Sequence, residues 1–313
     1  IQNIDELSQQ KSRKKMGKNL LNDELNRKLD PDTKSGLVLA SVKIYDEIKN
    51  GGIDLESIFN TNHKIRFSEG RGKGEFSAYV PLSGIFGKFL TQPFKYEDKP
   101  YKICRYCILF SSIGLEKIAS IARQRTTLHY GVLGFDGEVP LRKIRFLADN
   151  VEWRRPGEDV LNKAMRYKAS LTTLAKVFTI IATIPRMERE KFPDIGWYMI
   201  SYAYDVGTAK RLTGFYTLDV SSILGFLEIV ENQYGNLSEL ISTLIEYKSV
   251  VEKGGDEALN ILSEYAYNRD VRLSNAFLRK VRGLSRKIEK EAIRKKILNL
   301  LNLNLAKGLL LVA

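Results

Sequence analysis

Hydrophobic positions change their period twice along the chain. In residues 35–50 apolar side chains recur every three or four positions, with Val38, Val42, Tyr45 and Ile48 on one face, until Gly51-Gly52 stops the run. That spacing predicts an amphipathic helix. The pattern then turns to alternation. Residues 64–68 and 75–82 are β-branched and aromatic runs on either side of Gly70-Arg-Gly-Lys-Gly74, and residues 127–133 and 139–147 flank Gly134-Phe-Asp-Gly137. Two antiparallel hairpins are predicted there, with a short helix at 113–122 between them.

From Pro156 onward the helical period returns. In residues 159–183 an apolar stripe of Val160, Ala164, Leu171, Leu174, Phe178 and Ile181 ends before Pro185. Helices are then predicted at 196–205, 221–233, 238–252 and 256–268, before a long basic helix at 273–304. Short connections favour antiparallel neighbours. The predicted fold class is α+β: a mixed part with antiparallel hairpins over residues 1–155, then an antiparallel helical bundle over 156–313.

Charge changes this picture more than composition does. The 313 residues carry 50 Lys and Arg against 37 Asp and Glu, a net charge of +13, with 43% hydrophobic content that is ample for buried cores. Nine acids and two lysines lie between Asp219 and Glu264, whereas Arg269 to Lys296 holds eleven Lys or Arg against three acids. One reading is a basic helix packed on acidic neighbours. The other is an exposed positive track for a sugar-phosphate backbone. Its candidate residues are Arg279, Lys280, Arg282 and Arg286. Arg123, Arg125, Arg142, Lys143, Arg145, Arg154 and Arg155 form a second basic group, interleaved with Tyr130, Phe135, Phe146 and Trp153. Such mixtures suit phosphate neutralisation with base stacking. Arg71 and Lys73 form a third group among glycines that permit close backbone approach to phosphate, without the spacing or following Ser/Thr of a nucleotide-hydrolysing loop.

Catalytic side chains are scarce: the chain has two His and two Cys. Cys104-Arg-Tyr-Cys107 has the spacing of half a tetrahedral zinc site, in which both thiolates sit about 2.3 Å from one ion. Packing cysteines and a redox pair are the competing readings. Zinc is the candidate cofactor, on an incomplete ligand set. His129 beside Tyr130 and arginines admits a metal-independent RNA-processing endonuclease as the alternative function. An interaction scaffold whose acidic 219–264 surface docks a basic partner is a third reading. No nucleophile elbow or acid-rich metal cluster is visible, so a non-enzymatic role is expected. The most apolar run, residues 308–312, is far short of the roughly 18 residues of a membrane span. With only two cysteines, a soluble cytoplasmic protein is expected. The chain opens on Ile1-Gln-Asn without an initiator Met, so it is read as beginning inside a longer protein.

The order of Cys104-Arg-Tyr-Cys107, then Ile195-Gly-Trp-Tyr-Met-Ile200, then Asp219-Val-Ser-Ser-Ile-Leu224 resembles the large subunit of the archaeal type I-A CRISPR interference complex. The resemblance implies a non-catalytic antiviral-defence subunit, a Csa-type member of a Cascade assembly. It would sit near the 5′ end of a CRISPR RNA, recognise a short protospacer-adjacent motif and help open duplex DNA. Its implied partners are CRISPR RNA, double-stranded target DNA, the other subunits of the complex and a helicase-nuclease recruited for cleavage, with no membrane. A zinc knuckle in this family would show four ligands, of which Cys104 and Cys107 are the two that match.

Overall fold

A computed structural model of the chain describes residues 21, 25, 29, 31–52, 76–78, 101–124, 127–136, 155–189, 196–205 and 211–311. The chain divides into two compact units, Ile1–Ala119 with Tyr204–Thr213 and Ser120–Ala203 with Gly214–Ala313. Of the residues whose side chains are described, 78% are helical and 4% lie in strands. Among the described residues the protein is therefore mostly helical, which overturns the expected α+β class with antiparallel hairpins.

In the first unit, α1 (Pro31–Lys49) opens on a proline, whose missing N–H costs nothing at a first helical position. It ends before Gly51 and Gly52, both at positive φ. Leu37, Val38, Ala40, Ser41 and Ile44 are buried, but Ile48 is 54% exposed, so the buried stripe is rotated from the predicted one. Counting apolar letters misses Ser41, which is tolerated inside because its hydroxyl donates to the Leu37 carbonyl at 2.9 Å. Strand β1 (Phe76–Ala78) pairs antiparallel with β2 (Tyr101–Ile103), Ser77 opposite Lys102. The connection between them is far longer than a hairpin turn, and residues 64–68 lie outside the described residues. Helix α2 (Arg105–Ile118) follows β2 directly, eight residues before the predicted start. It is tied to α1 by the Glu47 carboxylate, which takes the Arg105 guanidinium at 2.5 Å and the Tyr106 hydroxyl at 2.6 Å.

Four strands form one sheet in the order β3 (Ala119–Gln124), β4 (Thr127–Asp136), β5 (Gly196–Asp205), β6 (Arg211–Asp219). The neighbours of β4 are thus β3 and β5, while its predicted partner 139–147 lies outside the described residues. Strand β5 occupies the range predicted as a helix. Its run of Trp197, Tyr198, Ile200, Tyr202 and Tyr204 is aromatic and β-branched, a composition that fits a pleated surface better than a helix.

The helical core belongs to the second unit. The predicted helix 159–183 is two helices, α3 (Arg155–Arg166) and α4 (Thr173–Ala182). Lys168 breaks it by entering the left-handed region at φ 61. Residues distant in sequence hold that turn: Asp256 accepts the Ser170 N–H at 2.7 Å, and Asn260 accepts from Thr172 N–H at 2.9 Å and donates to the Ser170 carbonyl. After the short α5 (Arg186–Arg189) come α6 (Ser221–Gln233), α7 (Leu237–Glu246), α8 (Lys248–Val251) and α9 (Gly255–Asn268). The single basic helix predicted at 273–304 is three: α10 (Val271–Lys287), α11 (Glu291–Leu300) and α12 (Leu303–Leu311).

The buried centre is aromatic. Phe226 meets Phe178 at 6.4 Å and Tyr265 edge-on at 5.4 Å, while the Arg269 guanidinium lies 4.7 Å over its ring. Arg269 reaches there from a left-handed cap position at the end of α9, and also donates to the Ser222 carbonyl at 2.8 Å. Glu231 of α6 joins a second internal tie: it accepts from the Arg189 guanidinium and from both the backbone and hydroxyl of Ser238 in the first turn of α7.

Candidate nucleic-acid interface

Helix α10 builds the site from a simple division of faces. Its N-cap, Asp270, accepts the Arg272 N–H at 2.9 Å and pairs with the Arg272 side chain at 2.8 Å. Ser274, Phe277, Leu278, Val281, Leu284 and Ser285 are buried, at spacings of three and four that point inward. The hydrophobic stabilisation of each large side chain there is about 1.5–3 kcal/mol, which fixes the rotation of the helix. Arg279, Arg282 and Arg286 follow the same spacing on the opposite side and are exposed, as are Lys287 and Lys290 just beyond. With 1.5 Å rise per residue, the three guanidiniums occupy about 10 Å of helix.

The lysines of this region behave differently. Lys280, predicted with the arginines, pairs with Glu257 of α9. Lys296 pairs with Glu239 of α7 at 3.0 Å, and Lys163 with Glu246 at 2.5 Å. In Lys296 and Lys163 the hydrogen bond to the glutamate raises the ammonium pKa. Part of the opposed charge read from sequence is therefore consumed between helices, and the arginines of α10 face solvent.

Of the other predicted contacts, Arg155 is exposed at the start of α3 and Arg123 lies in β3. Arg71, Lys73, Arg125, Arg142, Lys143, Arg145 and Arg154 lie outside the described residues. His129 in β4 is half-buried, and its Nδ1 is 3.3 Å from the Lys176 ammonium of α4. An ammonium has no lone pair, so Lys176 donates and the imidazole proton sits on Nε2. Burial, then the charge of Lys176, lowers the His129 pKa to about 4; burial alone lowers that of Lys176 to about 8. A neutral imidazole whose acceptor nitrogen is occupied is poorly disposed for the proton transfer the endonuclease reading requires. Sequence inspection misses Lys176, because a single lysine in an apolar helix carries no spacing signal. Cys104 precedes α2 and Cys107 lies in its first turn, and no group of three or more His, Cys, Asp or Glu able to hold a metal occurs among the described residues.

The model of the family described as CRISPR-associated protein (Cas_Csa4) matches residues 2–302. The chain belongs to that family. A 56-residue stretch of this Csa4-family chain is also similar, at 32% identity, to the "CRISPR system associated protein Cas8" of Thermoproteus tenax. That match covers 17% of the chain and 16% of the relative. Among the described residues no helix is long and apolar enough to cross a membrane.

Proposed function

We propose that this chain is the large, non-catalytic subunit of a CRISPR RNA-guided DNA surveillance complex, and that it holds nucleic acid on the arginine face of α10. Membership of the Csa4 family supports the setting, and the carrying observation is the exposure of Arg279, Arg282 and Arg286 opposite a buried apolar stripe. Arginine suits this role because its planar fork grips phosphate oxygens in pairs and reads guanine edges in a major groove. Arg71, Lys73, Arg123, Arg125, Arg142, Lys143, Arg145, Arg154 and Arg155 extend the proposed surface, one or two of them reading the protospacer-adjacent motif. Guide–target pairing is a near-balanced exchange with duplex reannealing, so modest backbone contacts tip it. The partners in this reading are CRISPR RNA, duplex DNA, the remaining subunits and a helicase-nuclease, in the cytoplasm.

The test is binding of labelled duplex at two salt concentrations, by the chain alone and assembled with guide-bearing partners. Binding that weakens steeply with salt is expected, without cleavage of repeat RNA. A chain that binds no oligonucleotide at low salt in either form defeats the proposal and leaves the scaffold reading.

A further inference from the structure

The polyanion reading makes no use of Cys104-Arg-Tyr-Cys107, yet the structure gives that motif a particular setting. Strand β2 runs directly into Cys104, and α2 begins at the next residue. Cys104 is the N-cap: its carbonyl accepts the Ile108 N–H at 3.1 Å, and its Sγ accepts the Cys107 N–H at 3.3 Å. Helix geometry places Cα atoms three residues apart at about 5 Å. That lies inside the roughly 4.4–6.8 Å window of a disulfide. The Cys104 sulfur already leans over the turn that carries Cys107. Cys104 and Cys107 are both half-buried residues, neither sealed in the core nor fully in solvent. Negative charge on the Cys104 sulfur is favoured by the amide it accepts from and by the positive end of the helix.

We infer that Cys104 and Cys107 form a dithiol that exchanges with small-molecule disulfides, closing a reversible bond across the first turn of α2. The Cys104 thiolate attacks one sulfur of the disulfide, forming a mixed disulfide and releasing one thiolate. Cys107 then attacks the Cys104 sulfur, releases the second thiolate and closes the Cys104–Cys107 bond. The protein dithiol loses two electrons, the small disulfide gains them, and the two thiol protons pass to the leaving thiolates. The oxidised turn also carries Arg105 and Tyr106, which hold Glu47, so the bond fixes the residues joining α2 to α1.

The inference is independent of nucleic-acid binding and is tested on the full chain equilibrated in buffers of reduced and oxidised glutathione, then alkylated and digested. The wild-type peptide spanning Cys104 and Cys107 is expected to lose two hydrogens as the oxidised fraction rises and to regain them on reduction. Cys107→Ser is expected to trap one glutathione on Cys104, and Cys104→Ser to react at Cys107 about fivefold more slowly, the helix-terminus advantage being lost. Serine is the near-isosteric replacement for cysteine, slightly smaller, and an unchanged far-ultraviolet spectrum confirms that both variants fold. The inference is overturned if both cysteines stay fully alkylatable at every glutathione ratio. Equal rates at the two positions overturn it, as does a stoichiometric zinc ion that survives dialysis and protects both thiols.

Discussion

Removing the three arginines of α10 tests the nucleic-acid reading most directly, because their contribution has a computable signature. Each guanidinium that neutralises a phosphate releases condensed counterions, and the slope of log affinity against log salt is about −0.9 per contact on duplex DNA. Along α10 the three side chains cover about 10 Å, the axial length of about three phosphate steps of one strand at about 3.4 Å per step. The variant R279A/R282A/R286A is therefore expected to flatten the slope by about 2.7. Between 50 and 200 mM salt, that difference is roughly a fortyfold smaller loss of affinity. Fluorescence anisotropy of a labelled duplex at several salt concentrations measures it. Because the three residues are exposed, stability should move by no more than about 0.5 kcal/mol per substitution. Lys280→Ala is the internal comparison, since Lys280 is held by Glu257 and its loss should leave the slope unchanged. A folded triple variant with the wild-type slope, or a Lys280 variant that flattens it as much, refutes the reasoning.

Four further outcomes follow from the packing of these helices and of β4. His129 has a folded pKa of about 4 against 6.5 unfolded, so its contribution is complete above pH 6.5 and is lost as pH falls towards 4, by up to about 3 kcal/mol; urea titrations should show His129→Gln flattening that acid limb, and an unchanged limb contradicts the assignment. Lys176, lowered to about 8 from 10.5, works the other way at high pH: the penalty of its buried charge is relieved between 8 and 10.5, so Lys176→Met should remove a rise in stability there. A methyl on Gly308 would meet the Tyr234 ring at 2.2 Å, whereas one on Gly225 in α6 meets nothing within 4 Å; Gly308→Ala should cost roughly 1–3 kcal/mol, and Gly225→Ala should gain up to about 1 kcal/mol, with thermal melts of the same sign for both counting against the packing. Glu231→Ala should destabilise by about 3 kcal/mol or more, because it strands the Arg189 guanidinium in the interior; a denaturation midpoint equal to wild type would show that the tie contributes nothing.

What can be read from sequence depends on whether local pattern or distant contact decides each element. Helix α6 falls on its predicted residues, since its apolar spacing and flanking Tyr234-Gly235 agree with one another. The buried stripe of α3 and α4 is also legible: Val160, Ala164, Leu171, Phe178 and Ile181 are all inside. The break within it is not, because no glycine or proline marks Lys168 and the turn is held by Asp256 and Asn260, more than eighty residues away. The same holds at 288–290, where strong helix formers give way because Ile288 is drawn into the core and Lys290 takes an extended N-cap conformation. Strand β5 reads as a helix in sequence because short aromatic runs satisfy both periods. At the candidate interface, periodicity locates Arg279, Arg282 and Arg286, but it cannot separate them from Lys280, whose partner lies on another helix.

The sorting of cations in the bundle has a chemical corollary. Lys163, Lys280 and Lys296 serve as fasteners between helices, whereas the guanidiniums of α10 stand outside. A dicarbonyl reagent selective for guanidinium would accordingly strip the outer face of α10 of its charge while leaving these ammonium–carboxylate pairs between the helices untouched.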